Sequence, residues 1–590
     1  MAQCKDTQTS SSEGWMPPAT PRALPLGQAN IYPLGEPHAV SVSLPKWDSI
    51  IAQSRGEKWV VDQLEWSYPR FHINKPVQDL SDAVLHRLQV STDCRCMVFA
   101  SVAAASECLE ALRRSDEQKS FTETVRFFMP AESNSNGIAG PHWANFSAVL
   151  LAPDLWDEAM AYWRDSGNGL STRHAEYILT ELDYLDSDCA GMLELRTPAL
   201  RKRGGGICRE IPASYQKIQA AESSFSELRD ALARLASSNR PGEPPVQPDD
   251  VFLFPTGINA VYSLSECLAG SDKTATVAAF GWLYTETVGI LRRGSWGEVL
   301  SYKSGSEKEL ESLAETLRSG KKVHALFCEF PSNILLSCPD LRRLRELADE
   351  YGFIIACDDS VVGYVNLDAL PFVDVMVSSL TKTFSGSSNV MGGSLVVNPS
   401  SKHRTTLRSA LSAHHKKAQI TYFPLDAATL LANNKTMHQR IKQCNENTLP
   451  LVRLVSAHPS ISAVHHPSTA PTAHNYEAMM RKTEPAGYGN ILSIVFRDPR
   501  SAEHFFNVLQ VCKGSSFGTN FTVAVPYVHH ALYSKREKVP RYGVPAHIIR
   551  VSVGLEDGGE LVGVMEEALR EVERFEGGSA GARGVEDVLN

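Results

Sequence analysis

The central part of the chain alternates short apolar runs with amphipathic stretches. Runs of this length and continuity are typical of strands that are buried on both faces of a parallel sheet. The stretch between the second and third runs has leucines at helical spacing, with Pro339 at its start and Gly352 as a stop signal. This β-α-β succession predicts an α/β layer with a mainly parallel sheet. The four apolar runs lie at residues 251–254, 323–330, 353–357 and 373–377.

The pattern before this layer is weaker and predicts further units. Residues 1–30 are rich in Ser, Thr, Pro and Gln and predict a disordered tail. Residues 31–240 are predicted to form an N-terminal extension of mixed segments, including a strand at 144–150 and a helix at 224–235. A Pro-rich linker at 237–250 ends this extension.

The pattern after the linker divides the remaining chain into two domains. We expect the α/β domain to occupy residues 241–420, and a helical bridge near 405–445 to lead out of it. Residues 421–590 are predicted to form a smaller α+β domain, because apolar runs at 491–496 and 547–554 alternate there with amphipathic segments.

Length and composition narrow the function classes. A chain of 590 residues is too long for one hydrophobic core, which agrees with several units. The net charge of -9 gives no general attraction to nucleic acid or anionic lipid. No apolar stretch approaches the roughly 18 to 20 residues of a membrane span, and the N-terminus lacks a signal-peptide pattern, so we expect a cytoplasmic protein. The doubled histidines at 465–466 and 529–530 have no acidic partner at metal-ligand spacing, so no metal site is predicted.

Polar residues follow the predicted strands, at the sheet edge where open parallel sheets bind ligands. Gly257 precedes a predicted helix, whose N-terminal N–H groups and dipole favour an anion. Asp358 follows the third run and suits a protonated pyridine nitrogen, although it also suits a turn. Lys382 follows the fourth run among hydroxyl residues, and a desolvated lysine suits a Schiff base. Two alternatives are still open: Gly257 at an ordinary helix start, and Lys382 in an exposed loop.

The segment from Ser379 to Lys382 also fits the S-x-x-K pattern of serine acyl-enzymes. That chemistry needs supporting S-D-N and K-T-G elements, and neither occurs downstream in this chain. The pattern therefore favours Schiff-base chemistry at Lys382.

The segment SSLTKTFSGSSNVMGGSLVVNP, residues 378–399, combines a hydroxyl residue, a Thr-Lys pair and a following Gly-Gly. It resembles the signature of the Cys/Met-metabolism pyridoxal-phosphate (PLP) enzymes of fold type I. The sequence of this segment is most similar to the fungal cystathionine γ-synthase branch of the family. The segments PHAVSVSLPKWDSII and STRHAEYIL in the N-terminal extension are similar to the same branch. Further segments similar to the family, in the same order, are FPTGINA (254–260), FGWLY (280–284), EFPSNILL (329–336), ACDDS (356–360) and IIRVSVGLED (548–557).

The resemblance implies the PLP-dependent transferase fold of type I, an α/β fold with a mainly parallel central sheet, a smaller C-terminal α+β domain and a long N-terminal extension. It implies PLP as the cofactor, held on Lys382, which also shuttles protons. Asp358 would hold the pyridine nitrogen, Asn333 the ring hydroxyl and Arg550 the substrate carboxylate. The residues that would cradle the phosphate are Gly257, Ile258, Ser379 and Thr381.

The sequence departs from the family pattern at two places. Phe280 stands where the family usually has the tyrosine that stacks on the cofactor, so Tyr284 is expected to supply an acid/base hydroxyl. By the resemblance, the family's Tyr-x-Arg-x-x-Asn segment, whose arginine binds the phosphate of a neighbouring subunit, corresponds here to a stretch with Tyr215 and no such arginine. Arg173 or Arg209 would then substitute for it.

The resemblance implies γ-replacement on an O-acylated homoserine, as in the transsulfuration route of methionine biosynthesis. The nucleophile would be cysteine, as in cystathionine γ-synthase, or another small molecule in a specialised relative. One alternative is γ- or β-elimination of a sulfur amino acid, and another is a non-catalytic scaffold. The presence of Lys382, Asp358 and Arg550 together favours an enzyme, and the resemblance implies a homodimer or homotetramer.

Overall fold

In a computed structural model, the described residues of the chain form three β-sheets with their covering helices. The sheets have four, seven and five strands and follow one another along the sequence. The residues that the structure describes are 20–90, 93–115, 120–129, 142–189, 213–270 and 272–586.

The N-terminal part contains the four-stranded sheet, which is antiparallel and has the strand order β1-β3-β2-β4. Its strands are β1 (Arg95–Phe99), β2 (Thr122–Phe128), β3 (Phe146–Leu151) and β4 (Asp186–Cys189). Its helices are α1 (Trp47–Ser54), α2 (Lys58–Val61), α3 (Lys75–Leu88), α4 (Val102–Ser115), α5 (Trp156–Ser166) and α6 (Thr172–Glu181). Every residue of β3 is buried, and this strand overlaps the one predicted at 144–150.

The central part contains the seven-stranded sheet, in which β11 alone runs opposite to the other strands. The strands are β5 (Val251–Phe254), β6 (Thr276–Phe280), β7 (Glu298–Tyr302), β8 (Ala325–Glu329), β9 (Ile354–Asp358), β10 (Val375–Ser379) and β11 (Gly393–Val397). Their order is β5-β11-β10-β9-β8-β6-β7. The helices are α7 (Ala213–Ala221), α8 (Ser224–Ala236), α9 (Gly257–Ala269), α10 (Thr285–Arg293), α11 (Glu307–Arg318), α12 (Leu341–Tyr351), α13 (Gly363–Asn366) and α14 (Arg404–Lys417). The predicted α/β fold with a mainly parallel sheet is confirmed.

Helix α12 shows how the sequence pattern becomes structure. The Asp340 side chain caps the helix by accepting hydrogen bonds from two backbone N–H groups, and Gly352 ends it in the left-handed region at φ 80°. Its buried face consists of Leu341, Leu344, Leu347 and Ala348. The helix therefore covers the sheet between β8 and β9, as the β-α-β pattern predicts.

The C-terminal part contains the five-stranded sheet, in the order β12-β13-β16-β15-β14. The strands are β12 (Ile461–His465), β13 (Ile491–Phe496), β14 (Cys512–Lys513), β15 (Val523–Pro526) and β16 (Ile549–Ser552). The helices are α15 (Pro424–Asn434), α16 (Met437–Ala457), α17 (Ala473–Met479), α18 (Pro499–Val508), α19 (Tyr527–Ala531) and α20 (Gly558–Glu586). The boundary expected near residue 420 falls between α14 and α15.

The N-terminal segment 29–71 lies across the C-terminal part of the same chain. Asn30 Nδ2 donates to the Lys513 carbonyl at 3.1 Å, and Ser41 Oγ donates to the Ser515 carbonyl at 2.8 Å. Trp47 is buried against Phe506, with 5.8 Å between the ring centroids. Because of these contacts, the end of the segment lies at the edge of the central sheet.

Metal-ligand clusters and membrane-spanning helices are both absent from the described residues. No group of three or more His, Cys, Asp or Glu side chains there is arranged to hold a metal ion. None of the helices in these ranges has the length and apolar character to cross a membrane.

Candidate active site

A cleft of about 850 Å³, including its mouth, opens at the carboxyl ends of β5, β8, β9 and β10. This is the edge at which parallel sheets bind ligands, and the size is usual for a small-molecule site. One side of the cleft comes from the strand ends and the start of α9. The other side comes from the N-terminal segment and from the C-terminal part.

Lys382 lies in this cleft and is almost completely buried. Its Nζ donates to Ser516 Oγ at 3.0 Å and lies 4.2 Å from the centre of the Tyr68 ring. Burial, together with the positive charges of Arg550 and Arg70, holds the pKa of Lys382 well below its usual value. Because its proton is held less tightly than that of an exposed lysine, this amine is a better nucleophile for imine formation.

The start of α9 forms a cradle for an anion. Thr256 Oγ1 caps the helix by accepting from the Asn259 N–H at 3.0 Å, so the free N–H groups of the first turn face the cleft. A Cβ atom at Gly257 would lie 2.7 Å from Ser379 Cβ, so only glycine allows this close approach. Ile258 and Ser379 complete the cleft wall beside Gly257.

Arg70 adds a cation to this cradle. Its side chain is buried, and neither Nε nor Nη2 has a hydrogen-bond partner among the described residues. The nearest acidic atom in an ion pair is Glu286 Oε1, 3.9 Å from Nη2. A buried guanidinium with two nitrogens free to donate hydrogen bonds, beside a helix N-terminus, suits a phosphate group.

Two carboxyl groups, of the buried Glu329 and the half-buried Asp358, lie at the ends of neighbouring strands. Glu329 and Asp358 are paired in the register of β8 and β9. Burial raises the pKa of Asp358, and burial with the charge of Asp358 raises the pKa of Glu329. Glu329 accepts from the backbone N–H groups of Tyr284 and Asn333, whereas Asp358 accepts from the Ser360 N–H at 2.8 Å. Asp358 has no ion pair with a cation in the described ranges, so a protonated ring nitrogen would stabilise its charged form.

Arg550 lies on the opposite side of the cleft, in the middle of β16. Its Nη1 donates to Asn333 Oδ1 at 3.0 Å and its Nη2 to the Ser516 carbonyl at 2.7 Å. The guanidinium lies over the rings of Phe517 and Tyr527, at 4.9 and 5.2 Å from their centres. No carboxylate in the described part of the chain pairs with it, so its charge is available to a substrate carboxylate.

Comparison with known proteins assigns the chain to a family. A sequence model described as Cys/Met metabolism PLP-dependent enzyme matches residues 247–570. The chain belongs to the Cys/Met-metabolism PLP-dependent enzyme family. A second model, described as the N-terminal domain of fungal trans-sulfuration enzymes, matches residues 76–171. The protein is therefore a PLP-dependent enzyme, as the sequence predicts.

Individual relatives in this family match most of the chain. The cystathionine gamma-synthase-like protein ankD of Aspergillus thermomutatus is 39% identical, over 93% of this chain and 95% of its own length. The cystathionine gamma-synthase of Neurospora crassa is 31% identical, over 92% and 99%. The crystal structure of cystathionine gamma synthase from Xanthomonas oryzae in complex with cystathionine has a TM-score of 0.52 at 20% identity, over 60% of this chain and 87% of that one. At that identity the structural match shows the type I fold.

The geometry of the cleft fits PLP. The start of α9 and the guanidinium of Arg70, whose Nε and Nη2 lack hydrogen-bond partners among the described residues, suit the phosphate, and Asp358 suits the ring nitrogen. The amine of Lys382 suits the aldehyde carbon. These features come from different elements of the fold, and each matches a different part of the cofactor.

Two predicted residues of this PLP enzyme lie away from the cleft. Phe280 is not among the residues that line it, because this side chain at the end of β6 packs into the core against Tyr302, with 6.0 Å between ring centroids. Tyr284, at the start of α10, lines the cleft instead. Thr381 also lies outside the lining, since its hydroxyl is hydrogen-bonded to the backbone of Gly392. The cradle expected from four residues is thus lined by Gly257, Ile258 and Ser379.

Arg70, which the sequence argument overlooked, is the arginine whose position in the cleft suits a phosphate. The signal was the segment Tyr68-Pro69-Arg70, the Tyr-x-Arg pattern, which precedes the N-terminal domain instead of the glycine loop. Arg173, expected as a substitute, pairs with Asp426 at 3.1 Å and lines an adjoining cavity. Arg209 lies outside the described residues.

Proposed function

We propose that the chain catalyses γ-replacement on an O-acylated homoserine, with cysteine or another small molecule as the nucleophile. One observation carries the proposal: Ser516 binds Lys382 Nζ through its hydroxyl and Arg550 Nη2 through its carbonyl. A substrate carboxylate on Arg550 would therefore place its α-carbon next to Lys382. The names of the relatives, cystathionine gamma-synthase and cystathionine gamma-synthase-like protein, support the same reaction.

The residues of the cleft divide the chemical work. PLP, when bound, withdraws electrons from the substrate carbons so that their protons can be removed. Asp358 keeps the proton on the ring nitrogen, and Asn333 bonds the ring hydroxyl. Lys382 carries protons between the α- and β-carbons, because it is the amine within reach of both. Burial raises the pKa of Tyr284 well above its usual value, so this hydroxyl keeps its proton and acts as a donor.

The wall opposite the strand ends supports replacement over elimination. Tyr68, Phe71, Phe517 and Tyr527 bring four aromatic rings to this wall. Apolar walls that exclude water leave a bound nucleophile as the group that adds at the γ-carbon. If water reached the same cleft and no nucleophile added at the γ-carbon, the enzyme would instead catalyse elimination of a sulfur amino acid.

The assay for this proposal uses the PLP-loaded protein with O-acetylhomoserine or O-succinylhomoserine, each with and without cysteine. We expect cystathionine to form only when both an ester and cysteine are present. Release of 2-oxobutyrate at the same rate in the presence and absence of cysteine would identify a lyase instead. No consumption of either ester with any thiol would rule out both reactions.

We further propose that the protein acts as a homodimer or homotetramer in the cytoplasm, with functional units at residues 31–240, 241–420 and 421–590. The support comes from the sequence resemblance, the linker at 237–250 and the order of the three sheets. Light scattering of the purified chain and microscopy of a tagged chain test these two points.

A further inference from the structure

His530 presents two unused hydrogen-bonding atoms in the wall of the cleft. It lies on α19, three residues after Tyr527, and both side chains line the cleft. The side chain is 8% exposed, and neither Nδ1 nor Nε2 has a hydrogen-bond partner among the residues that the structure describes. Buried polar atoms are paired in most proteins because an unmade hydrogen bond destabilises the fold. An unpaired imidazole that lines a substrate cleft is therefore a candidate for a substrate contact.

The position of His530 is fixed from two sides. Ser54 Oγ, in the N-terminal segment, donates to the carbonyls of His529 and His530 at 2.7 and 3.2 Å. The imidazole packs edge-on against Phe71, with 4.8 Å between ring centroids. These contacts use the backbone and the ring face and leave both ring nitrogens available.

The imidazole of His530 is uncharged in the working range of pH. Burial, followed by the positive charge of Arg550, lowers its pKa to about 3. A neutral imidazole offers one N–H donor and one nitrogen acceptor and cannot neutralise a carboxylate. The cations that line the cleft in the described ranges are Arg70, Lys382 and Arg550, and the acidic groups are Glu329 and Asp358. Glu286 faces Arg70 at 3.9 Å.

Under the proposed function, each of these cations has a partner. Arg70 binds the phosphate, Lys382 transfers protons at the reacting carbons, and Arg550 binds the substrate carboxylate. A second carboxylate, on the nucleophile, would be desolvated in the cleft with no cation to pair with it, which is unfavourable. An uncharged polar nucleophile would meet the free nitrogens of His530 instead.

We propose that His530 selects the second substrate by hydrogen-bonding an uncharged polar group on it, so that the cleft prefers a neutral nucleophile over one that carries a carboxylate. The inference rests on the proposed γ-replacement. In the net reaction with a thiol, a C–S bond forms at the γ-carbon and the ester C–O bond breaks. The acyl group leaves as its carboxylate, and the thiol proton is released.

The test compares 3-mercaptopropionamide with 3-mercaptopropionate, two thiols of the same shape that differ in charge. With O-acetylhomoserine and PLP-loaded wild-type protein, we expect kcat/KM for the amide to exceed that for the acid about tenfold or more. The ratio should not change between pH 6 and pH 8, because the imidazole does not titrate there. A preference for the acid, or a ratio with an inflection near the ordinary histidine pKa, would overturn the inference.

Three substitutions separate recognition from packing. His530→Asn keeps a neutral donor and acceptor, so the amide-to-acid ratio should stay within about threefold of wild type. His530→Leu should lower kcat/KM for the amide and leave that for the acid unchanged, so the ratio should fall, while the protein should melt at the same or a higher temperature because an unmade hydrogen bond is removed. His530→Arg supplies a further cation and should shift the ratio towards the acid about tenfold or more. His529→Leu is the matched control, since that ring packs on Trp47 at 5.1 Å and does not line the cleft.

The outcomes distinguish this inference from the proposed function. If the wild type consumes O-acetylhomoserine and the Leu and Arg variants keep its ratio, the inference is wrong and the function stands. If either variant fails to fold, the ratio of the other variant decides the same question. If the wild type consumes no homoserine ester with either thiol, the proposed function is wrong and the inference falls with it.

Discussion

The two sides of the cleft are built in different ways. The side formed by α9, β9 and β10 comes from one stretch of the α/β layer, with Gly257, Asp358 and Lys382 each at or just after a strand end. The other side joins the two ends of the chain, where Ser41 bonds to Ser515 across 474 positions of sequence. The first side matches the cofactor, which all members of the family share. The second side surrounds the space left for the substrates, so it is where related enzymes can differ.

The difference has a physical basis. Strand ends are held by the hydrogen bonds of a buried sheet, so their side chains keep a fixed geometry. The opposite side depends on side-chain bonds and packing by a segment outside the sheet, including Trp47 and Ser54. We therefore expect substitutions on the first side to remove the chemistry and those on the second to change what is bound.

The largest effect is expected for Lys382→Ala on the first side. Removal of the amine should abolish the yellow absorbance of the lysine-bound cofactor and lower turnover about 1,000-fold or more, because it removes both the nucleophile and the proton carrier. Absorbance spectra and the assay with homoserine esters measure both effects. Trapping of the cofactor by borohydride on another lysine of the wild-type protein would refute the assignment.

Arg550→Lys, on the second side, should have a smaller effect than Lys382→Ala, and that effect should be on substrate binding. Lysine keeps the charge but lacks the planar fork that spans Asn333 and the Ser516 carbonyl, so KM for the amino-acid ester should rise about 10- to 100-fold. The cofactor absorbance should remain. A large loss of kcat with unchanged KM would assign Arg550 to the chemical step instead.

The sequence predicted the first side of the cleft well and the second side poorly. Lys382, Asp358 and Gly257 follow apolar strands, and local pattern is enough to place them at one sheet edge. Arg550 was found through family resemblance, because nothing local in its strand indicates which cleft it enters. Arg70 and His530 were missed, since their role depends on packing between segments hundreds of residues apart.

The error at Phe280 also has a physical cause. Phe280 and Tyr284 lie at the end of β6 and the start of α10, and the change from strand to helix decides which ring reaches the cleft. The doubled histidine at 529–530 was considered in the sequence only as a possible metal site. On α19 one ring contacts Trp47 and the other lines the cleft. Element boundaries are the feature that sequence patterns fix least well.

Arg70→Gln tests whether the N-terminal segment contributes to the cofactor half of the site. Loss of one charge-assisted pair with the phosphate should raise the Kd for PLP about tenfold. Fluorescence or absorbance titration of the apoenzyme with PLP measures the change. Arg164→Gln is the matched control, because Arg164 lines the adjoining cavity and not the cleft. Equal PLP affinity in the wild type and the Arg70 variant would remove Arg70 from the phosphate site.

The smallest effect is expected next to Asp358, at a residue of the first side that does not face the cleft. Asp359 is 1% exposed, accepts a hydrogen bond from Ser378 Oγ through Oδ1, and has no partner for Oδ2 within the described ranges. Burial raises its pKa from 3.8 to about 8, although the bond from Ser378 lowers it. In the unfolded chain the carboxyl group of Asp359 loses its proton near pH 4, whereas the folded protein holds the proton up to about pH 8. Between these values the unfolded state binds fewer protons, so the residue destabilises the fold increasingly as pH rises.

Asp359→Asn removes this titration and keeps the shape, so the melting temperature should rise by about 2 °C at pH 7.5 and by less at pH 5.5. Calorimetry of the PLP-loaded protein measures both shifts, with exposed Asp157→Asn as the control. An equal shift at the two pH values, or a lower melting temperature at pH 7.5, would show that Asp359 is charged in the folded protein.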